Sequence, residues 1–147
     1  MKANYENKDN EMQKIKQNVN KLLEGQNILW QGALYMSASH TANLSQKISE
    51  QKNGVVLFFQ PYDTNTNSPQ SFGFYTKFIP KKVIEMFGNG YGYCFNIPDN
   101  SIGIIAGKYL YLYDNKIVGN DQNVGTSIMF GTTINNKNAV LTAVIGV

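Results

Sequence analysis

The sequence IGIIAGKYLYLY, residues 102–113, is the clearest β-strand pattern in the chain. Tyrosine and leucine alternate in its second half, and successive side chains of an extended chain point to opposite sides. The two faces are therefore of different composition: Tyr109, Tyr111 and Tyr113 against Leu110 and Leu112. Asp114-Asn115 follows as a turn dipeptide. The pattern predicts a β-strand that ends in a turn.

Short runs of β-branched and aromatic residues recur along the chain from residue 28 onward. The turn signals Asn53-Gly54 and Pro98-Asp99-Asn100 separate some of them, and we count roughly eight or nine strands, with turns every eight to twelve residues or so. The run VVLFFQPY, residues 55–62, is apolar at its start, which indicates that both of its faces are covered. The sequence thus predicts a mainly β chain, an antiparallel β-sandwich of the jelly-roll type, over residues 28–147.

A different period governs the residues before this β-region. The apolar residues there are spaced three, four and three apart, as in the a/d seam of a coiled coil: Met12, Ile15, Val19 and Leu22. We therefore predict a stem helix over residues 12–27, preceded by a flexible polar leader, residues 1–11. A seam of about two heptads is marginal in water by itself, so copies of the same chain would cover it. An amphipathic helix lying against its own domain is the alternative.

Composition excludes several classes of partner. A chain of 147 residues suffices for one domain. Its net charge is +3, and all 13 basic residues are lysine. Without arginine the chain lacks the planar guanidinium group that forms paired hydrogen bonds with phosphate and guanine, so we expect no nucleic-acid partner. No apolar run approaches the roughly 18 residues that membrane insertion needs, and no signal peptide is recognisable, so synthesis in the cytoplasm is expected. Cys94, the single cysteine, is expected to be a buried thiol.

Two loops resemble ligand-binding motifs only superficially. Residues 63–71 carry Asp63, Asn65 and Asn67 in alternation but lack the glycine and glutamate of a calcium loop. GNGYGY, residues 88–93, lacks the strand before and the helix after that a phosphate-binding loop requires. We therefore expect neither a metal ion nor another cofactor.

Catalytic groups are also hard to assemble from this sequence. The single histidine, His40, has no evident acid or nucleophile beside it and is expected in a loop or an interface. Paired carboxylates for glycan cleavage would have to come from residues at turns, where aspartate is common for backbone reasons. These candidates are Asp63, Glu85, Asp99, Asp114 and Asp121. The chain is therefore expected not to be an enzyme.

Five short motifs, in order, carry a resemblance to a known family. They are LWQGALYM (29–36), QKNGVVL (51–57), IPKK (79–82), KYLY (108–111) and the segment from Val140-Leu141 to Gly146-Val147. This succession resembles the C-terminal head domain of receptor-binding, tail-tip and baseplate proteins of phages and prophages of Gram-positive bacteria. The resemblance implies a homotrimeric β-sandwich head on a helical stem, located at the virion tail tip among other tail or baseplate proteins. It also implies attachment to a host cell-wall carbohydrate, a teichoic acid or another wall polysaccharide.

A structural baseplate or tail-fibre trimerisation component without its own sugar site is the alternative function. If a saccharide is bound, its ring needs an aromatic face and its hydroxyls need planar polar groups, and loops can provide both. Three loops have this composition: Tyr62, Asp63, Asn65 and Asn67; then Asn89, Tyr91 and Tyr93; then Asn120, Asp121 and Asn123.

Overall fold

The computed structural model of the protein describes residues 2–23, 27–99, 103–129 and 131–147. The chain is mainly β, with 50% of residues in strands, and its antiparallel sheets curl into a half-barrel. The described part also contains two α-helices, α1 (Lys2–Leu23) and α2 (Lys82–Phe87). The strands are β1 (Asn27–Leu34), β2 (Thr41–Asn43), β3 (Gly54–Asp63), β4 (Ser68–Pro69), β5 (Tyr75–Pro80), β6 (Tyr91–Asp99), β7 (Gly103–Leu112), β8 (Lys116–Val118), β9 (Thr126–Met129), β10 (Thr132–Asn135) and β11 (Ala139–Gly146). The mainly β prediction is confirmed.

The first sheet has the strand order β1-β11-β3-β5, and the two-residue strand β4 pairs with the end of β3. Its central strands, β3 and β11, are the most apolar of the chain, as expected for strands with neighbours on both sides. β5 ends at Pro80, which has no N–H to give to a ladder. One face of β3 is fully buried through Val55, Leu57 and Phe59, while Val56 and Phe58 on the other face are only half-buried.

The second sheet has the strand order β2-β8-β7-β6. In β7 the leucines at 110 and 112 are fully buried, whereas Tyr109 and Tyr111 are half-exposed, so the two faces predicted for this strand are confirmed. A separate hairpin of β9 and β10 completes the strands. Among the described residues, no helix combines the length and apolarity needed to cross a bilayer.

The core lies between the two sheets and is continuous. Phe59 of the first sheet meets Phe95 of the second edge to face, with ring centroids 5.4 Å apart. Met36 and Ile48, from the segments that connect strands, are fully buried and close the core. Burying side chains of this size contributes roughly 1.5–3 kcal/mol each before the entropy of ordering them is counted.

The connection between β1 and β2 is held by an unusually close backbone approach. Met36 has a left-handed φ of 65° although it is not glycine, and its carbonyl accepts the N–H of Asn120 at 2.9 Å. Gly119 lies against this carbonyl, and a Cβ at residue 119 would overlap it. The glycine therefore permits the contact that fixes the strained turn.

The N-terminal helix differs from its prediction in extent. It begins at Lys2, so residues 2–11 are helical and do not form an irregular leader. The first 24 residues contain no glycine or proline, and nothing in the sequence therefore interrupts a helix. All described side chains from 4 to 19 are exposed, so over this span the helix does not lie against its own domain. Residue 27 belongs to β1, and the side chain of Leu22 lies outside the described residues.

Two further expectations are corrected, and one element was not expected. Cys94 is exposed, because the inward side chains of β6 are its neighbours Tyr93 and Phe95 and the alternation places residue 94 outside. The run FGFYTKFI, residues 72–79, predicts a strand from Phe72, but the strand begins only at Tyr75. Helix α2 was not predicted, since six residues between Pro80 and Gly88 are too few to display a helical period.

Candidate functional site

A cleft of about 340 Å³ opens where β6 and β7 meet the chain that follows β8. Its walls come from three parts of the sequence. These are the consecutive strands β6 and β7, the 3-10 turn Asp121–Val124 with Ser127 of β9, and the 3-10 turn Asn136–Asn138. Its lining residues are mostly uncharged and polar: Cys94, Phe95, Asn96, Gly107, Lys108, Tyr109, Gln122, Asn123, Ser127 and Asn136.

The strand register places the first of these side chains. Cys94 lies opposite Tyr109, and Asn96 lies opposite Gly107, so these four residues share the outward face of the paired strands β6 and β7. Gly107 contributes no side chain and leaves space beside Asn96. The exposed amide of Asn96 and the half-exposed ring of Tyr109 therefore border the same hollow.

Two buried asparagines form the opposite wall and substitute for a missing strand. β8 pairs with β7 only at Tyr111 and Leu112, which leaves the edge of β7 open nearer its start. Asn123 accepts the N–H of Tyr109 at 2.6 Å and donates to its carbonyl at 2.7 Å. Asn136 accepts the N–H of Gly107 at 2.8 Å. Because these amides satisfy the strand edge, the cleft wall is held at fixed distance from β7.

Lys108 supports this wall from the core side of β7. Its side chain is 3% exposed, and its Nζ donates to the carbonyls of Tyr35, Asn123 and Asn136 at 3.1, 3.3 and 2.7 Å. Burial lowers the pKa of Lys108 to about 7. This single side chain thus joins the two 3-10 turns of the cleft to the end of the first sheet.

The cleft is suited to binding a neutral, hydroxyl-rich group. Side-chain amides offer both donors and acceptors, a hydroxyl offers either, and a tyrosine ring offers an apolar face. No carboxylate of the described residues lines it, and within the described ranges no cluster of three histidine, cysteine, aspartate or glutamate residues exists that could hold a metal ion. The amine of Lys108, which also borders the cleft, is bonded to three carbonyls.

The predicted saccharide loops are distributed over both ends of the domain. The loop after β3 contributes Tyr62, whose ring packs edge to face on Tyr35 with centroids 5.0 Å apart. Asp63 accepts the N–H of Asn65 and Asn67 has a left-handed φ of 52°, so both shape an exposed turn. This first loop lies beside the β1–β2 connection.

The third loop reaches the same connection, because Asp121 accepts the N–H of Ala38 at 3.0 Å. Asn120 accepts the N–H of Gln122 and donates to the Tyr111 hydroxyl. This loop leads directly into the cleft, since Gln122 and Asn123 line it.

The second loop lies at the opposite end. Asn89 accepts the N–H of Asp114, and Asp114 in turn accepts from Ser49, near the start of β3. Tyr91 stacks on Phe87 at 4.8 Å, and Tyr93 faces inward. A ten-residue strand such as β3 spans about 30 Å, so the structure does not bring all three loops together.

The remaining candidate groups have local structural partners. His40 is half-buried in a turn, where its Nδ1 accepts the N–H of Ser37 at 3.2 Å. Glu85 forms an ion pair with Lys82 within α2. The carboxylate of Asp99 lies outside the described side chains. Of the five candidate carboxylates, the four whose side chains are described therefore each contact a different partner.

Sequence reasoning did not find Asn96, Tyr109, Gln122 or Ser127 as neighbours. They come from β6, β7, a 3-10 turn and β9, and no spacing in the sequence indicates that these segments meet. The asparagine clusters around residues 120–123 and 135–138 were the one usable signal. No protein-family model matches the chain, and no curated protein sequence matches it significantly.

Proposed function

We propose that this protein is the head of a phage tail receptor-binding protein, which attaches to a cell-wall glycopolymer of a Gram-positive host as a homotrimer. The observation that carries the proposal is the cleft beside β7, in which neutral amides, a hydroxyl and a tyrosine ring converge without a described carboxylate. Sugars are bound by this combination, because planar polar groups satisfy hydroxyls while the ring covers the apolar face of the pyranose. The resemblance of the five sequence motifs supports the phage context.

The proposed head is a jelly-roll-like sandwich on a coiled-coil stem. A jelly-roll-like sandwich is supported by the two facing sheets and by β1 and β11 lying side by side. A coiled-coil stem is supported by the exposed stripe of Met12, Ile15 and Val19 on α1. Three such helices would bury the stripe that a single chain leaves in water.

Labelled protein incubated with Gram-positive cells tests the binding. We expect it to decorate the cells and to be displaced by purified wall polysaccharide. Asn96→Ala and Gln122→Ala should each weaken binding at least several-fold, because each removes an amide that lines the cleft. Folding should be little affected, because both amides are exposed and their side chains have no described hydrogen bond to lose. Asn43→Ala, an exposed asparagine on the edge strand β2, is the matched control and should bind like the unmodified protein.

Asp63→Ala and Tyr91→Ala test the predicted loops. Tyr91 is exposed and Asp63 is half-buried in a surface turn, so thermal melting should change little. Loss of cell binding in either variant would place the saccharide in that loop and not in the cleft. Undiminished binding in all four variants would contradict the cleft and the first two loops as saccharide sites.

A structural baseplate or tail-fibre component is the second candidate function. Its supporting observation is the uncovered stripe of α1, which serves assembly whether or not the head binds sugar. It predicts self-association together with no decoration of cells and no effect of wall polysaccharide. The release of reducing ends from purified cell wall would contradict both candidates, since neither involves catalysis.

A further inference from the structure

The outward face of the first sheet carries an unbroken apolar row. Phe78 of β5 lies directly opposite Val56 of β3, Val56 opposite Ile145 of β11, and Ile145 opposite Ile28 of β1. Residues directly opposite one another in antiparallel strands project to the same side. The row therefore crosses all four strands on the side away from the core.

A second row widens this surface. Phe58 lies opposite Ala143, and the ring of Phe74 packs on Phe58 with centroids 5.2 Å apart. The row ends in two uncharged polar residues, Thr76 opposite Phe58 and Gln31 opposite Ala143. We call the two rows together the outer apolar face: Ile28, Val56, Phe58, Phe74, Phe78, Ala143 and Ile145. Ile28, Phe74 and Phe78 are 61%, 53% and 46% exposed, and neither row contains a charged side chain. Contiguous apolar surface of this kind usually marks an interaction site.

Helix α1 carries a second uncovered apolar surface. Met12, Ile15 and Val19 are 56%, 57% and 45% exposed along a helix of 22 residues. Only three residues separate Leu23, the end of α1, from Asn27, the start of β1. Ile28 is thus five residues beyond the helix end, which an extended chain spans in at most about 18 Å. Copies aligned along α1 would hold their Ile28 side chains near the same axis.

We propose that the outer apolar face binds a second copy of this chain. The faces of the associating copies then meet around the axis along which their α1 helices pack. Two features select a second copy over an unrelated partner. One residue of the face, Ile28, lies only five residues beyond the end of the helix that carries the stripe. The face is also uncharged, as the central part of an interface between like subunits usually is. The inference rests on the proposed self-association and is independent of the proposed sugar ligand.

The test is the molar mass of the full chain by multi-angle light scattering over a range of micromolar concentrations. Ile28→Asp and Phe78→Asp place a charge on the outer apolar face at exposed positions, where folding is little affected. Ile128→Asp is the matched control, since Ile128 is 79% exposed on the β9–β10 hairpin. Ile15→Asp combined with Val19→Asp tests the helix stripe separately, and circular dichroism melting verifies that each variant is folded.

We expect the unmodified chain to be a trimer, and Ile28→Asp and Phe78→Asp each to raise the concentration needed for assembly at least tenfold, with Ile128→Asp unchanged. A trimer that persists in both face variants while the helix variant dissociates would overturn the inference and leave self-association intact. An equal loss of assembly in Ile128→Asp would also overturn it. If the unmodified chain were a monomer at all concentrations, both the proposed self-association and the inference about the outer apolar face would be overturned.

Discussion

Asn123 and Tyr109 are joined by two hydrogen bonds of opposite direction, so that one side-chain amide completes both backbone groups of a strand residue. The same amide nitrogen also donates to the Met36 carbonyl at 2.6 Å. Asn123 is fully buried, and the segment that it anchors forms one wall of the cleft. The stability of the wall therefore depends on an amide at this position.

Asn123→Asp should destabilise the protein by at least about 2 kcal/mol, because the replacement keeps the shape and the acceptor but removes the donor to two buried carbonyls. Urea unfolding at neutral pH measures the change. Asn65→Asp, in the exposed turn after β3, is the control and should alter the free energy of unfolding by less than about 0.5 kcal/mol. Equal midpoints for the two variants would contradict the anchoring role of Asn123.

Lys108 should make the stability of the protein rise with pH. Its pKa is about 7 in the folded chain, against the ordinary value of 10.5, so between these pH values the unfolded chain binds more protons. Folding is then favoured as the pH increases through this window, by at most about 1.4 kcal/mol per pH unit, and the contribution is flat below about pH 7.

Lys108→Met isolates this effect. The variant loses stability at every pH because three carbonyls lose their donor, but the rise between pH 7 and 9 should disappear. Urea midpoints at pH 6, 7.5 and 9 measure it, with the exposed Lys52→Met as the control that keeps the rise. Parallel pH profiles for Lys108→Met and the unmodified protein would show that residue 108 is not the cause.

Gly119→Ala should destabilise the protein by about 2–3 kcal/mol, since the added methyl would overlap the Met36 carbonyl and backbone cannot easily move away. Gly125→Ala is the matched control in the same segment, because a Cβ there meets its nearest neighbours at 3.7 and 3.8 Å, an ordinary contact. Thermal melting of the two variants gives the comparison. A melting temperature for Gly119→Ala equal to that of Gly125→Ala would mean that the β1–β2 connection adjusts freely.

The single thiol should report on the cleft. Cys94 is exposed and lines it, so a maleimide should modify one cysteine per native chain without denaturant. If the proposed site is correct, bound wall polysaccharide should slow the modification in the unmodified protein but not in Asn96→Ala, for which weaker binding is expected. Mass spectrometry over time follows the reaction. Modification only after unfolding would contradict the exposed position, and unchanged rates with polysaccharide bound would place the ligand outside the cleft.

The strands were predictable from sequence where two faces differ in composition. Tyrosine and leucine alternate in β7, and the structure places the leucines in the core. The run around Cys94 has apolar residues on both sides of the strand, so its sequence cannot indicate which side faces the second sheet. The five apolar residues that begin at Val55 indicated two covered faces, and in one chain only one of them is covered.

The cleft was beyond sequence reasoning for a topological reason. Asn123 and Asn136 were recognisable as turn residues, but their bonds to β7 depend on a strand edge left open because β8 is short. The charge of Lys108 likewise gives no sign of burial. Its place in the alternation with Ala106 and Leu110 was the available signal, and lysine at a core position is rare enough to be dismissed.

The position of β11 determines when this domain can form. β11 lies between β1 and β3, both of which are made far earlier in the chain. During synthesis β11 is thus made only after most of the other strands. Until then, the edges of β1 and β3 that pair with β11 remain unpaired. Such non-local pairing slows folding and exposes strands that can associate wrongly. Production at lower temperature, or with chaperones present, should therefore raise the yield of folded protein.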